Sequence, residues 1–149
     1  MTGEQMWQEF CRSTHTDSAI RHDIWKFCGG GKFADELAKL VLAGQKTATS
    51  STKLSYEQAK EELPEVGTYS VILFDSGEAA CVIQDVKVSI VPFDQVCAEH
   101  AEKEGEDDRS LEKWREVHYR AFLPDYQAAG LDFDESGDCV LEEFKVVYC

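Results

Sequence analysis

The chain has 149 residues and a formal net charge of −14, because 29 acidic residues outnumber 15 lysines and arginines. This length suits a single domain over residues 1–149, and a hydrophobic fraction of 43% is typical of a folded chain. The acidic balance argues against binding to duplex DNA or to an anionic membrane, because both attract basic surfaces. No apolar run approaches the roughly 20 residues of a membrane span, and the N-terminus has no signal-peptide pattern. The sequence therefore predicts a cytoplasmic protein.

Six cysteines are present, at positions 11, 28, 81, 97, 139 and 149. None forms a Cys-x-x-Cys pair, so the usual ligand spacing of a zinc site is missing. We expect free thiols, with Cys28, Cys81 and Cys139 buried beside apolar neighbours. The segment Asp132–Glu143 nearly fits a calcium-binding loop, but the residues after it alternate like a strand, where such a loop needs a helix. The sequence therefore predicts no metal and no cofactor.

The first part of the chain predicts two amphipathic helices. Residues 2–14 form the first, with Met6 and Phe10 on one face, and residues 1 to about 24 are treated as a helical extension of the domain. Residues 33–44 form the second, with Gly44 as its C-cap. Its apolar stripe is predicted to face the core and consists of Phe33, Leu37, Leu40 and Val41.

Strands are predicted in the middle of the chain. The Thr-rich segment 45–54 is extended, a polar helix spans about Tyr56 to Glu62, and residues 68–75 form a strand rich in β-branched side chains. A long strand that can contain a bulge follows at 79–93. One side of that strand is predicted to consist of Val82, Val86, Val88 and Ile90.

Two more helices and a last strand complete the prediction. A short helix covers about 94–104, and a longer one covers 110–122, with Asp107 or Asp108 as its N-cap. The final strand is 140–149, and one of its sides carries Val140, Phe144, Val146 and Tyr148. Strands that are grouped together, with helices outside the group, indicate an α+β fold.

The segment Gly44–Ser51 is the first candidate for chemistry, because it places Lys46 among hydroxyl groups directly after a helix. Gly44 allows close approach of a ligand to the backbone, and Lys46, Thr47 and Ser51 offer hydrogen bonds to an anion or a polar base. The spacing differs from that of a P-loop, which precedes a helix. A solvated edge strand is the plainer interpretation of the same residues.

Glu104 and Trp114 are the next candidates. Glu104 lies four residues after His100 on a predicted helix, so its carboxyl group can point inward, where burial raises a pKa and suits acid–base work. A solvated helix end is the alternative. Trp114 beside Arg115 can form a platform for a flat base. The alternative places Trp114 in the core and pairs Arg115 with an acidic residue.

Four sequence blocks together resemble the ASCH-domain proteins of the PUA-like superfamily, in particular the small stand-alone bacterial ones. The blocks are FADELAKLVLAGQKTATSS, LPEVGTYSVILFDSGEAACVIQDVKVSIVPFDQV, HAEKEGEDDRSLEKWREVH and VLEEFKVVY, and the resemblance extends from about Trp25 to Tyr148. It implies a small, partly open β-barrel flanked by helices, with a cleft beside the Gly-x-Lys turn. It also implies binding of RNA or of flipped bases.

Many ASCH domains carry Gly-x-Lys-x-x-Glu-x-Arg; here Gly44 and Lys46 match, whereas Thr49 and Ser51 replace the Glu and the Arg. The segment also resembles the N4-acetylcytidine amidohydrolases, whose catalytic Lys, Thr and Glu fall on Lys46, Thr49 and Glu104. The resemblance implies that the Thr49 hydroxyl attacks an amide carbonyl, that neutral Lys46 acts as the base, and that Glu104 orients Lys46 or protonates the leaving amine.

This mechanism sets a geometric condition. Residues 46 and 49 differ by three positions, so a regular strand would direct them to opposite faces. They converge only if residues 45–48 form a turn or a bulge before the strand begins.

The resulting prediction is a protein that binds a nucleoside or single-stranded RNA and hydrolyses an amide of a modified nucleoside such as N4-acetylcytidine. One alternative is a non-catalytic RNA-binding or regulatory module in which Lys46, Arg109 and Arg115 contact phosphates. Another is a metal-dependent ribonuclease that uses the acidic residues at 102–108.

Overall fold

The computed structural model describes residues 1–149 and confirms an α+β fold with five helices and five strands. The helices are α1 (Gly3–Thr14), α2 (Lys32–Leu42), α3 (Lys53–Ala59), α4 (Ala98–Glu104) and α5 (Leu111–Ala128). The strands are β1 (His22–Trp25), β2 (Ala48–Thr52), β3 (Tyr69–Leu73), β4 (Ala79–Pro92) and β5 (Asp138–Tyr148). None of the helices combines the length and the hydropathy that a membrane span requires.

All five strands belong to one mixed sheet in the order β1-β3-β4-β5-β2. β1 runs parallel to β3, whereas the other neighbours are antiparallel. β1 and β2 are the two edges and do not pair with each other, so the sheet is not a closed barrel. The sequence analysis did not predict β1, because its four residues lie at the end of the presumed helical extension and lack a strand-like alternation.

The helices bury their apolar faces against this sheet. Trp7 of α1 is fully buried and stacks on His22 of β1, with 4.0 Å between ring centroids. α2 packs through Ala38 and Val41 against the middle of the sheet. α5 packs against the other end of β5, in a cluster that includes Phe93, Trp114, Phe122, Tyr126 and Leu141. The helices therefore cover the sheet and leave the gap between its two edges accessible.

The predicted helices need several corrections. Phe33 is 65% exposed, because α2 turns its small residues Ala34 and Ala38 toward the sheet instead. The polar helix α3 begins at Lys53, where Thr52 caps it by accepting a hydrogen bond from Ser55 N. The N-cap of α5 is Ser110, whose hydroxyl accepts from Lys113 N, and not Asp107 or Asp108. α5 also continues past Phe122 to Ala128.

The long strand β4 contains the bulge that the sequence allowed, and the bulge changes its inward side. Asp85 pairs with Phe144 while Lys87 pairs with Glu143, so Val86 is the extra residue. Val86 is consequently 48% exposed, and the Asp85 side chain is buried. Three further side chains predicted to be inward or buried are exposed, namely Ile90, Val146 and Cys28. All six cysteines are free thiols.

Candidate functional site

Lys46 lies in the short connection between α2 and β2. Gly44 adopts a φ of +77° at the end of α2, and Lys46 N donates back to Leu40 O, which turns the chain toward the sheet. Gly105, at the end of α4, packs so closely that a Cβ there would lie 2.3 Å from Gln45 O. A side chain at position 105 would therefore separate α4 from the Lys46 connection.

The Lys46 ammonium group is almost completely buried, with 1% of the residue exposed. Its Nζ donates to Glu106 Oε2 at 2.7 Å, to Ala48 O at 2.8 Å and to Glu104 Oε1 at 3.1 Å. Burial opposes the charge, but the carboxylates of Glu104 and Glu106 outweigh it, so the pKa of Lys46 is raised. Lys46 is therefore protonated in this arrangement, whereas a general base must be neutral.

Glu104 receives hydrogen bonds on both of its carboxylate oxygens. Oε1 faces Lys46, and Oε2 accepts from Ser50 Oγ at 2.6 Å and from the indole N–H of Trp114. His100 Nε2 and His118 Nε2 lie 3.2 and 3.5 Å from the same oxygen. Burial alone would raise the pKa of Glu104, but contact with Lys46 and the two histidines holds that pKa well below its ordinary value. Glu104 is therefore an ionised carboxylate inside the protein.

Glu104 also affects the protonation of its histidine neighbour. Burial disfavours a charge on His118, yet the hydrogen bond and the negative charge of Glu104 raise the pKa of His118 above its ordinary value. The His118 ring stacks on Trp114, with 4.2 Å between centroids. Trp114 is therefore a core residue that orients Glu104. This position agrees with the alternative that placed Trp114 in the core.

Several predicted ligand-binding residues make contacts within the chain. Arg115 donates to Phe93 O at 2.7 Å and to Val96 O at 3.0 Å. Arg109 is exposed and donates to Glu102 O at 3.2 Å. Of the other predicted ligand-binding residues, Ser51 lines the cleft described next, whereas Gly44, Thr47 and Trp114 lie outside it, as do both arginines. The structure thus joins Lys46 and Glu104 but does not bring either arginine to them.

A cleft of about 560 Å³ lies between the two edges of the sheet. β1 and the turn after it form one wall, and β2 and α3 form the other. Both walls carry aromatic side chains, Trp25 and Phe27 on the first and Tyr56 on the second, and the second wall adds the hydroxyl groups of Thr49, Ser50 and Ser51. This volume lies within the range of roughly 300–1,000 Å³ that ligand sites occupy.

Thr49 and Ser50 both line the cleft but belong to opposite faces of β2. Ser50 Oγ lies 2.7 Å from His100 Nε2 and donates to Glu104, so it connects the cleft to the buried ion pair. Thr49 lies opposite Glu142 in the register of β2 and β5. The proposed mechanism requires a turn before β2, and residues 45–47 form one. Lys46 Nζ nevertheless donates its hydrogen bonds to Ala48 O and to the carboxylates of Glu104 and Glu106.

Glu142 and Asp85 form a second acidic pair, at the bottom of the cleft. Glu142 lines the cleft. Asp85, which is 5% exposed, pairs with Phe144 of β5, two residues from Glu142 on the same face, so the two carboxyl groups are diagonal neighbours on adjacent strands. Burial, the hydrogen bond to Asp85 and the negative charges of Asp85 and Asp23 raise the pKa of Glu142 to about 9. Burial also raises the pKa of Asp85.

Sequence reasoning missed Ser50, Asp85 and Glu142 as members of the site, and it included Glu106 only among the acidic residues at 102–108 of the ribonuclease alternative. Ser50 stood in the hydroxyl-rich motif but carried no distinguishing signal. Asp85 and Glu142 are far apart in the chain, and Asp85 belonged to the side of β4 predicted to be solvated. Only the position of the bulge at Val86 shows that Asp85 is inward.

No group of three or more histidine, cysteine or acidic side chains is arranged to hold a metal ion. Of the acidic residues at 102–108, Glu104 and Glu106 bind the ammonium group of Lys46.

Comparison with known proteins identifies the family. Residues 23–148 match the model of the ASCH domain, so the chain belongs to the ASCH domain family. This family has a PUA-like fold and is often associated with RNA binding. No curated protein gives a significant match to the sequence.

Two solved structures are similar over most of the chain. The ASCH domain from Lactobacillus crispatus JV V101 is 31% identical with a TM-score of 0.91, and the match covers 99% of this chain and 94% of that one. Protein EF3133 from Enterococcus faecalis V583 is 32% identical with a TM-score of 0.87, and the match covers 97% of this chain and 87% of that one. The hypothetical protein PH0355, at 15% identity and a TM-score of 0.53 over 86% of this chain and all of that one, shares the fold alone.

Proposed function

We propose that the cleft between the sheet edges binds one nucleobase, presented by a free nucleoside or by single-stranded RNA. The observation that carries this proposal is the lining of the cleft, which combines aromatic rings with a row of hydroxyl groups. Flat bases stack on aromatic side chains and are oriented by hydrogen bonds to a few polar groups. The association of the family with RNA binding supports the same choice.

The distribution of charge favours contacts to a base over contacts to a phosphate backbone. Lys46 is buried beneath two glutamates, and Arg115 is engaged by backbone carbonyls. Arg109 is the one exposed cation among the three residues that the non-catalytic RNA-binding alternative requires. Since long RNA needs an extended basic track, a chain with a net charge of −14 suits a small ligand or a single extruded base.

Binding can be tested by titrating nucleosides and short RNA oligonucleotides into the protein and following amide chemical shifts by NMR. We expect the shifts to cluster at β1, β2 and α3, and we expect Tyr56→Ala to weaken binding about tenfold, as loss of a stacking ring does. Tyr119→Ala is the matched control, because Tyr119 is 45% exposed on α5 and does not line the cleft. Shifts confined to other surfaces, or equal effects of the two substitutions, would contradict base binding in the cleft.

Hydrolysis of an amide on the bound base is a second candidate function. The observation that favours it is the Ser50 hydroxyl, which lines the cleft and contacts both His100 Nε2 and Glu104 Oε2. The resemblance to amidohydrolases assigns the attack to the neighbouring Thr49 and supporting roles to Lys46 and Glu104. In this proposal Lys46 stabilises the ionised Glu104 and acts through it, because its ammonium group does not line the cleft.

The hydrolase proposal requires release of acetate from N4-acetylcytidine, measured by mass spectrometry. Thr49→Val removes the hydroxyl of the proposed nucleophile and is expected to lower turnover at least about a hundredfold. Thr16→Val is the control, since the Thr16 hydroxyl contacts the Thr14 hydroxyl and Thr16 does not line the cleft. Turnover that survives in Thr49→Val but disappears in Ser50→Ala would transfer the attack to Ser50, and absence of turnover by the wild type would leave binding alone.

A further inference from the structure

Glu142 occupies the bottom of the cleft, between the hydroxyl-bearing strand and the central strands. It lies opposite Thr49 on one side and opposite Val88 on the other, and it lines the cleft directly. Asp85, which the bulge of β4 turns inward, is its diagonal neighbour on the adjacent strand, because Asp85 pairs with Phe144. A ligand that enters between the sheet edges therefore meets Glu142 backed by a second acid.

No cation neutralises this pair. Neither Glu142 nor Asp85 takes part in an ion pair with a lysine, arginine or histidine, unlike Glu104. The other ionisable groups that face Glu142 are Asp23 from β1 and Tyr56 from α3. Arg21 at the mouth of the cleft is directed to Glu62 at 3.0 Å and to Asp23 at 3.9 Å.

Two carboxyl groups that are neighbours on one face of the sheet, without a cation between them, cannot both ionise readily and therefore favour sharing one proton. The raised pKa values of Glu142 and Asp85 agree with this requirement. The pair therefore carries one negative charge and one O–H group near neutral pH. Because Asp85 is the more deeply buried partner and Glu142 faces the cleft, Glu142 is the partner that a ligand reaches.

We propose that Glu142 is a specificity-determining residue that binds the ligand as a neutral carboxylic acid and selects a base edge with a hydrogen-bond acceptor next to a donor. A neutral carboxyl group offers one O–H donor and one carbonyl acceptor, whereas an ionised one only accepts. Cytosine and adenine present such an edge, with a ring nitrogen beside an exocyclic N–H. A carboxylate would instead select paired donors, such as guanidinium groups or protonated bases. Asp85 is a positioning residue that keeps the proton on the pair. The inference rests on the proposed function and specifies the ligand chemistry of the same cleft.

The test compares nucleosides that differ in the acceptor alone. Cytidine and 3-deazacytidine, and adenosine and 1-deazaadenosine, are titrated by NMR into the wild type, Glu142→Gln, Glu142→Leu and the control Glu143→Gln. Glu143 lies next to Glu142 on β5 but pairs with Lys87 and Lys103 outside the cleft. A glutamine amide keeps one donor and one acceptor, and leucine keeps neither.

We expect at least one parent nucleoside to bind the wild type about tenfold more tightly than its deaza counterpart, as loss of one matched hydrogen bond predicts. Glu142→Gln should retain that affinity within about threefold, Glu142→Leu should lose about tenfold, and Glu143→Gln should match the wild type. Wild-type affinity should fall as the pH rises through about 9, and Glu142→Gln should not show this loss. In Asp85→Asn, an amide N–H that stabilises ionised Glu142 should move the midpoint to lower pH.

Three results would overturn the inference. Equal binding by Glu142→Leu and the wild type would remove the role of Glu142 while leaving base binding intact. Equal losses in Glu142→Gln and Glu142→Leu, or tighter binding above pH 9, would show that the ionised carboxylate binds the ligand. Failure of every nucleoside to bind the wild type would overturn the inference together with the proposed function.

Discussion

The two buried acidic sites differ in the partners that each glutamate finds, although both lie close to β2. Glu104 contacts an ammonium group, an indole N–H and a hydroxyl group, and its pKa is held well below the ordinary value. Glu142 neighbours another acid, Asp85 on the adjacent strand, and its pKa is raised to about 9. Burial favours the neutral form in both places, so neighbouring donors and charges decide which glutamate ionises.

This difference separates the functions of the two regions. The Lys46–Glu104 site has 1–2% exposure of its central side chains and belongs to the packed interior. Glu142 of the Asp85–Glu142 pair lines a cleft, and its raised pKa favours the protonated form there. An ionised pair stabilises a fixed arrangement, whereas a neutral acid can donate a hydrogen bond to a ligand.

Removal of the Lys46 ammonium group should disrupt the Lys46–Glu104 site and have the largest effect on stability. Lys46→Met leaves Glu104 and Glu106 without their counter-ion, and breaking a buried pair in this way costs about 3–5 kcal/mol in the free energy of unfolding. Urea denaturation measures the change. Lys32→Met is the control, because Lys32 is 84% exposed in its pair with Glu36. Similar losses in both variants would contradict the role of Lys46.

A milder substitution should sharpen the account of Glu104. Trp114→Phe removes the indole N–H donated to the carboxylate, and loss of a hydrogen bond to a charged group costs about 2 kcal/mol. Trp7→Phe removes a similar N–H, donated at 3.0 Å to the neutral carbonyl of Ser18, and should cost about 1 kcal/mol for the bond. Thermal and urea unfolding of the two variants measure both losses in the free energy of unfolding. A smaller loss in Trp114→Phe than in Trp7→Phe would argue against an ionised Glu104.

The Asp85–Glu142 pair should affect how the stability of the protein depends on pH. A raised pKa means that folded Glu142 keeps a proton that the unfolded chain releases, so wild-type stability falls as the pH rises from about 4 toward 9. Glu142→Gln removes this proton uptake. Its stability relative to the wild type should therefore increase by about 1 kcal/mol per pH unit across that interval. A difference independent of pH would show that Glu142 is ionised in the folded protein.

The sequence predicted those parts of the molecule that follow from local pattern. The apolar face of α1 and the break at Gly44 gave two helices, and the four resemblance blocks gave the family. Lys46 and Glu104 were also selected, and the structure places them 3.1 Å apart. Their protonation states could not be obtained from the sequence, because the pKa of Lys46 depends on Glu106 and on the packing of α4 against the turn after α2.

Local sequence patterns could not predict the Asp85–Glu142 pair, for a physical reason. Asp85 alternates with Val86 as an outward residue would, and one extra residue in β4 reverses that alternation. Glu142 becomes its neighbour only through the pairing of β4 with β5. β1 was missed as well, because four residues that include a histidine and an aspartate give no strand pattern.

The most direct test is a carboxyl NMR titration of protein labelled with ¹³C at the glutamate side chains, with Glu142→Gln and Glu104→Gln used for assignment. One signal should titrate near pH 9 and be absent from Glu142→Gln. The Glu104 signal should remain that of an ionised carboxylate below the pH at which exposed glutamates take up protons. Titration of both signals together with the exposed glutamates would contradict the distinction between the two acidic sites.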